Sequence, residues 1–163
     1  MTIDKEICRK LLAVGAESRG VTLVTDAKYI VMKKGEEGLR KIEQAASEFG
    51  VDLKYNDLKE TNWYPVGLRI ISLALPMKIF GWNAAELRDM GYQAPRVSTM
   101  IKYSLKFFVD INTFFKWTPA FWKEHYSLGN LEVRSADEQA KSYSVAITDF
   151  QSHFRDIDPA LID

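Results

Sequence analysis

His125, His153 and Cys8 are the chain's two histidines and one cysteine, and they set what acid, base or thiol chemistry near neutral pH it could perform. His125 follows Glu124 and stands three residues beyond Trp122, a setting in which an imidazole could serve as a general base. Neighbouring residues on a helix point roughly 100° apart, so Glu124 is badly placed to orient it. Cys8 falls on an apolar stripe with no histidine close in sequence and reads as a small core residue. No G-x-S-x-G elbow occurs. A soft metal needs clustered histidine and cysteine, which are lacking, and Asp149, Asp156 and Asp158 read as solvated charges. The GEEG run from Gly35 to Gly38 lacks a lysine–serine pair and puts acids where amides should meet a phosphate. No catalytic residue, metal ligand or cofactor is therefore assigned, and an enzyme is the less favoured class.

Binding is better supplied than catalysis. Residues 103–126 hold nine of the chain's 20 aromatic side chains. Val97, Ile101, Leu105, Phe108, Ile111 and Phe115 recur at helical steps, and Met100, Tyr103, Phe107 and Phe114 widen the stripe beyond what one core face requires. The spacing predicts a long helix, then a second one restarted by Thr118 and Pro119 over residues 119–126. Phe107, Phe114, Trp117, Phe121, Trp122 and Tyr143 are the expected walls of an apolar pocket, with Met77 and Met100 as adaptable fillers. Arg69, alone in an apolar helix, is the candidate anchor for a ligand carboxylate; the bland alternative is that it reaches for water.

The elements that must position these residues follow from periodicity. Ile3, Ile7, Leu11, Leu12 and Val14 predict a first helix capped by Thr2 or Asp4. Residues 21–24 are β-like, while Thr25 and Asp26 would cap a helix over 27–34; another runs over 36–49 and stops at Gly50. Trp63 and Tyr64 read as a hydrophobic staple. Pro65 then opens a helix whose stripe is Leu68, Ile71, Leu75 and Ile79, with a kink expected at Pro76. Asn83 caps a short helix that should stop at Gly91, and Pro95 should break the chain again. Beyond Gly129 the period becomes two: Leu131 and Val133, then Tyr143, Val145 and Ile147, predict a hairpin with one buried face, turned by the SADEQ segment and extended by a third strand from residues 51–58. The expected fold is α+β, a mostly helical layer on a small antiparallel sheet. It forms a single domain over 1–163: helical over 1–127, hairpin over 130–150, and a short segment over 151–163.

Composition narrows the function classes. Forty-seven per cent hydrophobic and 27% charged residues in 163 fit a globular domain with a sizeable core. Twenty-two basic and 22 acidic side chains cancel, which leaves no field to gather phosphates and argues against a nucleic-acid partner. The most apolar run, 66–82, contains Arg69, Pro76 and Lys78, so no membrane span is expected. A single cysteine and an N-terminus unlike a signal peptide suit a cytoplasmic protein.

Three stretches carry a resemblance: GVTLVTDAKYIVMKKGEEGLRKI, NWYPVGLRII with GWNAAELRDMGYQAP, and WKEHYSLGNLEV with YSVAITDF. Together they resemble uncharacterised bacterial proteins grouped near the 4-vinyl reductase domain and the haem nitric oxide/oxygen-binding fold. The resemblance spans about residues 20–150 and implies helices packed on an antiparallel sheet with a small-molecule cavity between. The haem-binding members use a mid-domain histidine and a Tyr-x-Ser-x-Arg motif; here Ser144 directly follows Tyr143 and no such arginine follows. The expectation is a small-molecule-binding or sensory module that does not depend on haem. The alternatives are a homodimer seamed by the aromatic helix and a small lyase or hydrolase using His125.

Overall fold

The computed structural model describes residues 3–99, 102, 111–137, 139–140, 142–154 and 157. Helix α1 (Lys5–Leu12) starts where Asp4 caps it, its carboxylate accepting from the Ile7 N–H at 2.8 Å. A short strand β1 (Glu17–Arg19) leads directly into α2 (Gly20–Glu48). The β-like residues 21–24 are helical, and Asp26 is a buried mid-helix residue and not a cap. The reason lies outside the segment: carbonyls of Asn62 and Glu60 accept from the Gly20 and Val21 amides at 2.8 and 2.9 Å, meeting donors that a helix start otherwise leaves open. A Cβ at Gly20 would stand 2.1 Å from the Lys59 carbonyl oxygen, so only glycine lets that loop close in. Gly35 (φ 67°, ψ −179°) interrupts α2 between its two helical halves, where the sequence placed a boundary.

Residues 51–58 supply a 3-10 turn (Tyr55–Asp57) instead of a third strand. Strand β2 (Trp63–Pro65) pairs antiparallel with β1, Ser18 opposite Tyr64, and α3 (Val66–Phe80) follows. The expected Trp63–Tyr64 staple is thus a strand: Trp63 lies under the Arg19 guanidinium, 4.3 Å from its ring centre, and the Tyr64 hydroxyl accepts from the Lys59 N–H. Pro76 lies within α3, which ends on left-handed Gly81. Asn83 and Glu86 cap α4 (Ala84–Val97) reciprocally. That helix runs through both Gly91 and Pro95, where the sequence predicted a stop and a break. Met90 buries into the core and Asp89 binds Tyr29, and such tertiary contacts outweigh the roughly 1 kcal/mol that a mid-helix glycine costs.

Helix α5 (Ile111–His125) likewise continues through Thr118 and Pro119, so no new helix begins there. Proline forfeits a single backbone bond, and Thr118 is buried within the helix. Strands β3 (Asn130–Asp137) and β4 (Ser142–Thr148) form the C-terminal hairpin, with Leu131 opposite Ile147 and Val133 opposite Val145. A bulge falls between Val133 and Ser135, and β3 absorbs the first half of the expected turn. Asp137 Oδ1 then accepts from the Gln139 and Ala140 amides at 3.0 and 2.9 Å, which reverses the chain. The fold is α+β, with two separate two-stranded sheets among the described residues.

The core lies among α1, α2, α3 and α4: Leu11, Leu23, Tyr29, Ile30, Ile42, Ile71 and Leu75 are essentially inaccessible. The described aromatic side chains of α5 are not part of it. Of the α5 side chains described, only Thr118 is buried. Nor does the hairpin have one buried face, since Val133, Val145 and Ile147 are 37%, 46% and 49% exposed.

Candidate functional site

Arg69 and Ser72 stand one turn apart on α3 and face Asp26 of α2. The guanidinium Nη1 donates to Asp26 Oδ2, and the Ser72 hydroxyl donates to the same oxygen at 3.3 Å. Ser72 Oγ is also 2.7 Å from the Tyr55 hydroxyl, so four polar side chains form one chain inside an apolar core. Asp26 is 1% exposed, and burial pushes its carboxyl up to about 6 against the opposing pull of Arg69 and Ser72. Burial works against the charge on Arg69, but Asp26 and the adjoining Tyr126 hydroxyl outweigh it and hold the guanidinium protonated. Burial likewise raises the Tyr55 phenol. Two buried polar atoms have no hydrogen-bond partner among the described residues: Arg69 Nε and the hydroxyl of Ser18.

Tyr126 belongs to a junction that ties the end of α5 to β1. Ser18 and Tyr126 form a backbone bridge; Glu17 N–H donates to Ser127 Oγ at 2.7 Å, and Ser127 N–H donates to the Glu17 carbonyl at 3.0 Å. Arg19 donates to the carbonyls of Glu124 (3.0 Å) and Thr61 (2.6 Å). Aromatic rings extend from this point. Trp122 stacks on Tyr126 at 4.4 Å, Phe150 meets both edge-on at 6.0 and 6.2 Å, and Phe154 closes the group 5.2 Å beyond.

The residues expected to line a pocket divide accordingly. Arg69 and Trp122 border this junction, and Phe121 packs on the His125 ring at 4.2 Å. Tyr143 stacks on Phe115 at 4.2 Å, and Trp117 is 57% exposed. Met77 packs against the core from α3. Met100, Phe107 and the side chain of Phe114 lie outside the described residues. His125 Nδ1 carries its proton, because it donates to the Phe121 carbonyl at 2.8 Å; Glu124 meets Arg19 through its backbone. The Cys8 thiol is inaccessible, and burial pushes it up to about 11, far from a reactive thiolate. Among the described residues no three His, Cys, Asp or Glu side chains converge as metal ligands would, and no helix is long and apolar enough to cross a membrane.

Two surface pockets flank α2. One, of about 330 Å³, lies between α2 and α4 with Tyr29, Lys33, Trp82 and Asp89 on its walls; the other, of about 310 Å³, is bordered by Val24, Val31, Leu39 and Tyr55. In the first, the Tyr29 hydroxyl donates to Asp89 at 2.6 Å, and with Lys33 and Gln93 it draws the Asp89 carboxyl down to about 2. Sequence reasoning singled out Arg69 and missed Asp26, whose position among Leu23, Ala27 and Ile30 on an apolar stripe was the available signal. No family model, curated protein or solved structure matches this chain.

Proposed function

We propose that the protein is a small-molecule-binding or sensory module, and that its apolar ligand lies along α5 and the hairpin. The observation that carries this reading is that the core closes without the described aromatics of α5. Trp117, Val133, Val145 and Ile147 are left open to water, while Phe121, Trp122 and Tyr143 are only half-covered. Covering one large aromatic face recovers roughly 2–3 kcal/mol, so a flat or aliphatic molecule has much to gain here. A carboxylate-free ligand already fits this reading, and haem has no part in it. Helices followed by a C-terminal hairpin are in keeping with the 4-vinyl reductase and haem nitric oxide-binding-like resemblance, which we retain as a proposal of kinship, together with a cytoplasmic location.

The test is a thermal-shift and tryptophan-emission screen with octanol, naphthalene derivatives and porphyrins, repeated on Trp117→Ala and Trp122→Ala. A ligand at a hundredfold excess over its dissociation constant should stabilise the wild type by about 2.7 kcal/mol, and the variants less. If no probe moves either signal, the reading fails. Exposed Val133, Val145 and Ile147 on the hairpin favour a second reading, a homodimer seamed by this face. A monomeric mass at micromolar concentration removes it.

A further inference from the structure

The geometry points to Arg69 as the receptor for one carboxylate carried by that ligand, with Asp26 as the internal acid that holds the guanidinium until the ligand arrives. The inference rests on the binding reading above and gives its ligand a chemical class, an aliphatic or aromatic monocarboxylate.

A guanidinium has five N–H donors arranged so that each of two edges matches a carboxylate. Asp26 takes Nη1, whereas Nε, on another side of the group, is buried with no partner among the described residues. The Ser18 hydroxyl, 0% exposed, is the second unpartnered buried group, and its strand is bridged to Tyr126, whose hydroxyl adjoins the guanidinium. Access separates the two charges. The Arg69 side chain is 19% exposed and the Asp26 side chain 2%, so of the two charges the arginine lies nearer to solvent and the aspartate deeper. The stacked Trp122 and Tyr126 rings, with Phe150 edge-on to both, begin at the same junction and offer a surface for the apolar body.

Charge conservation then dictates a proton. With Asp26 ionised the guanidinium is already matched, and a second carboxylate would leave one uncompensated negative charge in an apolar interior. Uptake of one proton from solvent by Asp26 restores neutrality; the new O–H faces Ser72, and Arg69 turns its full charge to the ligand. The other titratable groups facing the pair are Tyr55 from the 3-10 turn, with Glu43 behind it, and Tyr126 from the end of α5. Burial raises the Tyr55 phenol, which stays neutral here. The raised Asp26 carboxyl, at about 6, is therefore the group whose protonation is linked to binding.

Calorimetric titration with octanoate, and with octanol as its uncharged counterpart, tests this in buffers of different ionisation enthalpy. Octanoate should bind the wild type with uptake of close to one proton near pH 8, and about tenfold or more tighter near pH 6 than near pH 8, while octanol shows neither effect. Asp26→Asn, which frees Arg69 from a charged partner, should bind octanoate more tightly near pH 8 and lose the pH dependence. The double variant Arg69→Met with Asp26→Leu, which buries no charge, should bind both probes alike. Octanol binding without preference for octanoate, or without proton uptake, overturns the inference and leaves the binding reading intact. Failure of both probes to bind overturns the two together.

Discussion

Replacing Arg69 with methionine should expose how Asp26 is tolerated inside the core. In the wild type the raised carboxyl makes Asp26 favour acid: its contribution to stability is fully present below about pH 4, falls as pH rises to about 6, and is then constant. Each unit of pKa difference is worth about 1.4 kcal/mol, so roughly 3 kcal/mol is lost across that window. Methionine fills much of the volume of Arg69 without its charge, leaving Asp26 with the Ser72 hydroxyl at 3.3 Å as its partner. The carboxyl must then rise further, and the variant keeps losing about 1.4 kcal/mol per pH unit where the wild type has levelled off. Near pH 8 the deficit should reach about 3 kcal/mol, in the range found when one member of a buried ion pair is removed. Near pH 5 it should shrink to the cost of the lost contacts alone. Urea unfolding followed by tryptophan emission at both pH values measures this, and adding Asp26→Leu should flatten the pH profile again. The reasoning is refuted if Arg69→Met costs under about 1 kcal/mol near pH 8, or if its stability follows the wild-type slope above pH 6.

Gly67→Ala should destabilise strongly, by about 2 kcal/mol or more in urea, because its Cβ would lie 2.1 Å from the Leu11 carbonyl oxygen on the backbone of α1. Gly91→Ala, with nothing within 4 Å and helical backbone, should instead stabilise by about 0.5–1 kcal/mol; a loss in either urea midpoint or melting temperature contradicts the assignment of α4 as continuous. Tyr29→Phe removes the hydroxyl bond that does most to favour the Asp89 carboxylate, so a carbon-detected titration should move Asp89 upward from about 2; no movement would mean that the hydroxyl bond does not form. The Asp89 contribution to stability is present above about pH 4 and is lost as the pH falls toward 2, and this variant should show a shallower acid loss.

Local signals survived folding well. Asn83 begins α4 and Gly50 takes the left-handed conformation after α2, because each depends on neighbours within a few residues, and the alternation of Leu131 and Val133, then Val145 and Ile147, falls on the two strands that pair. The misreadings share a different cause. Residues 21–24 look like a strand until carbonyls some forty positions away satisfy the first turn of α2. Pro95 and Pro119 look like breaks until packing outweighs the loss of one backbone bond each. How far the described aromatics of α5 are covered is not legible in the sequence, because composition reports how much apolar surface a segment has and not what covers it. At the site, Arg69 stood out against an apolar stripe, whereas Asp26 passed for a helix cap because its partner is 43 residues further on.

The clasp between β1 and the end of α5 has a consequence for synthesis on the ribosome. Glu17, Ser18 and Arg19 are translated early, yet the groups that engage them at Glu124, Tyr126 and Ser127 emerge more than a hundred residues later. At about 5–20 residues per second, that is several seconds in which α1 to α4 are exposed and able to collapse while strand β1 keeps an unclaimed edge. Trp63 under Arg19 and the loop carbonyls on Gly20 and Val21 hold that edge in shape during the delay. Arrival of the aromatic helix then closes a preformed seat, so nascent chains stalled before residue 124 should be compact but prone to capture by chaperones that recognise open strands.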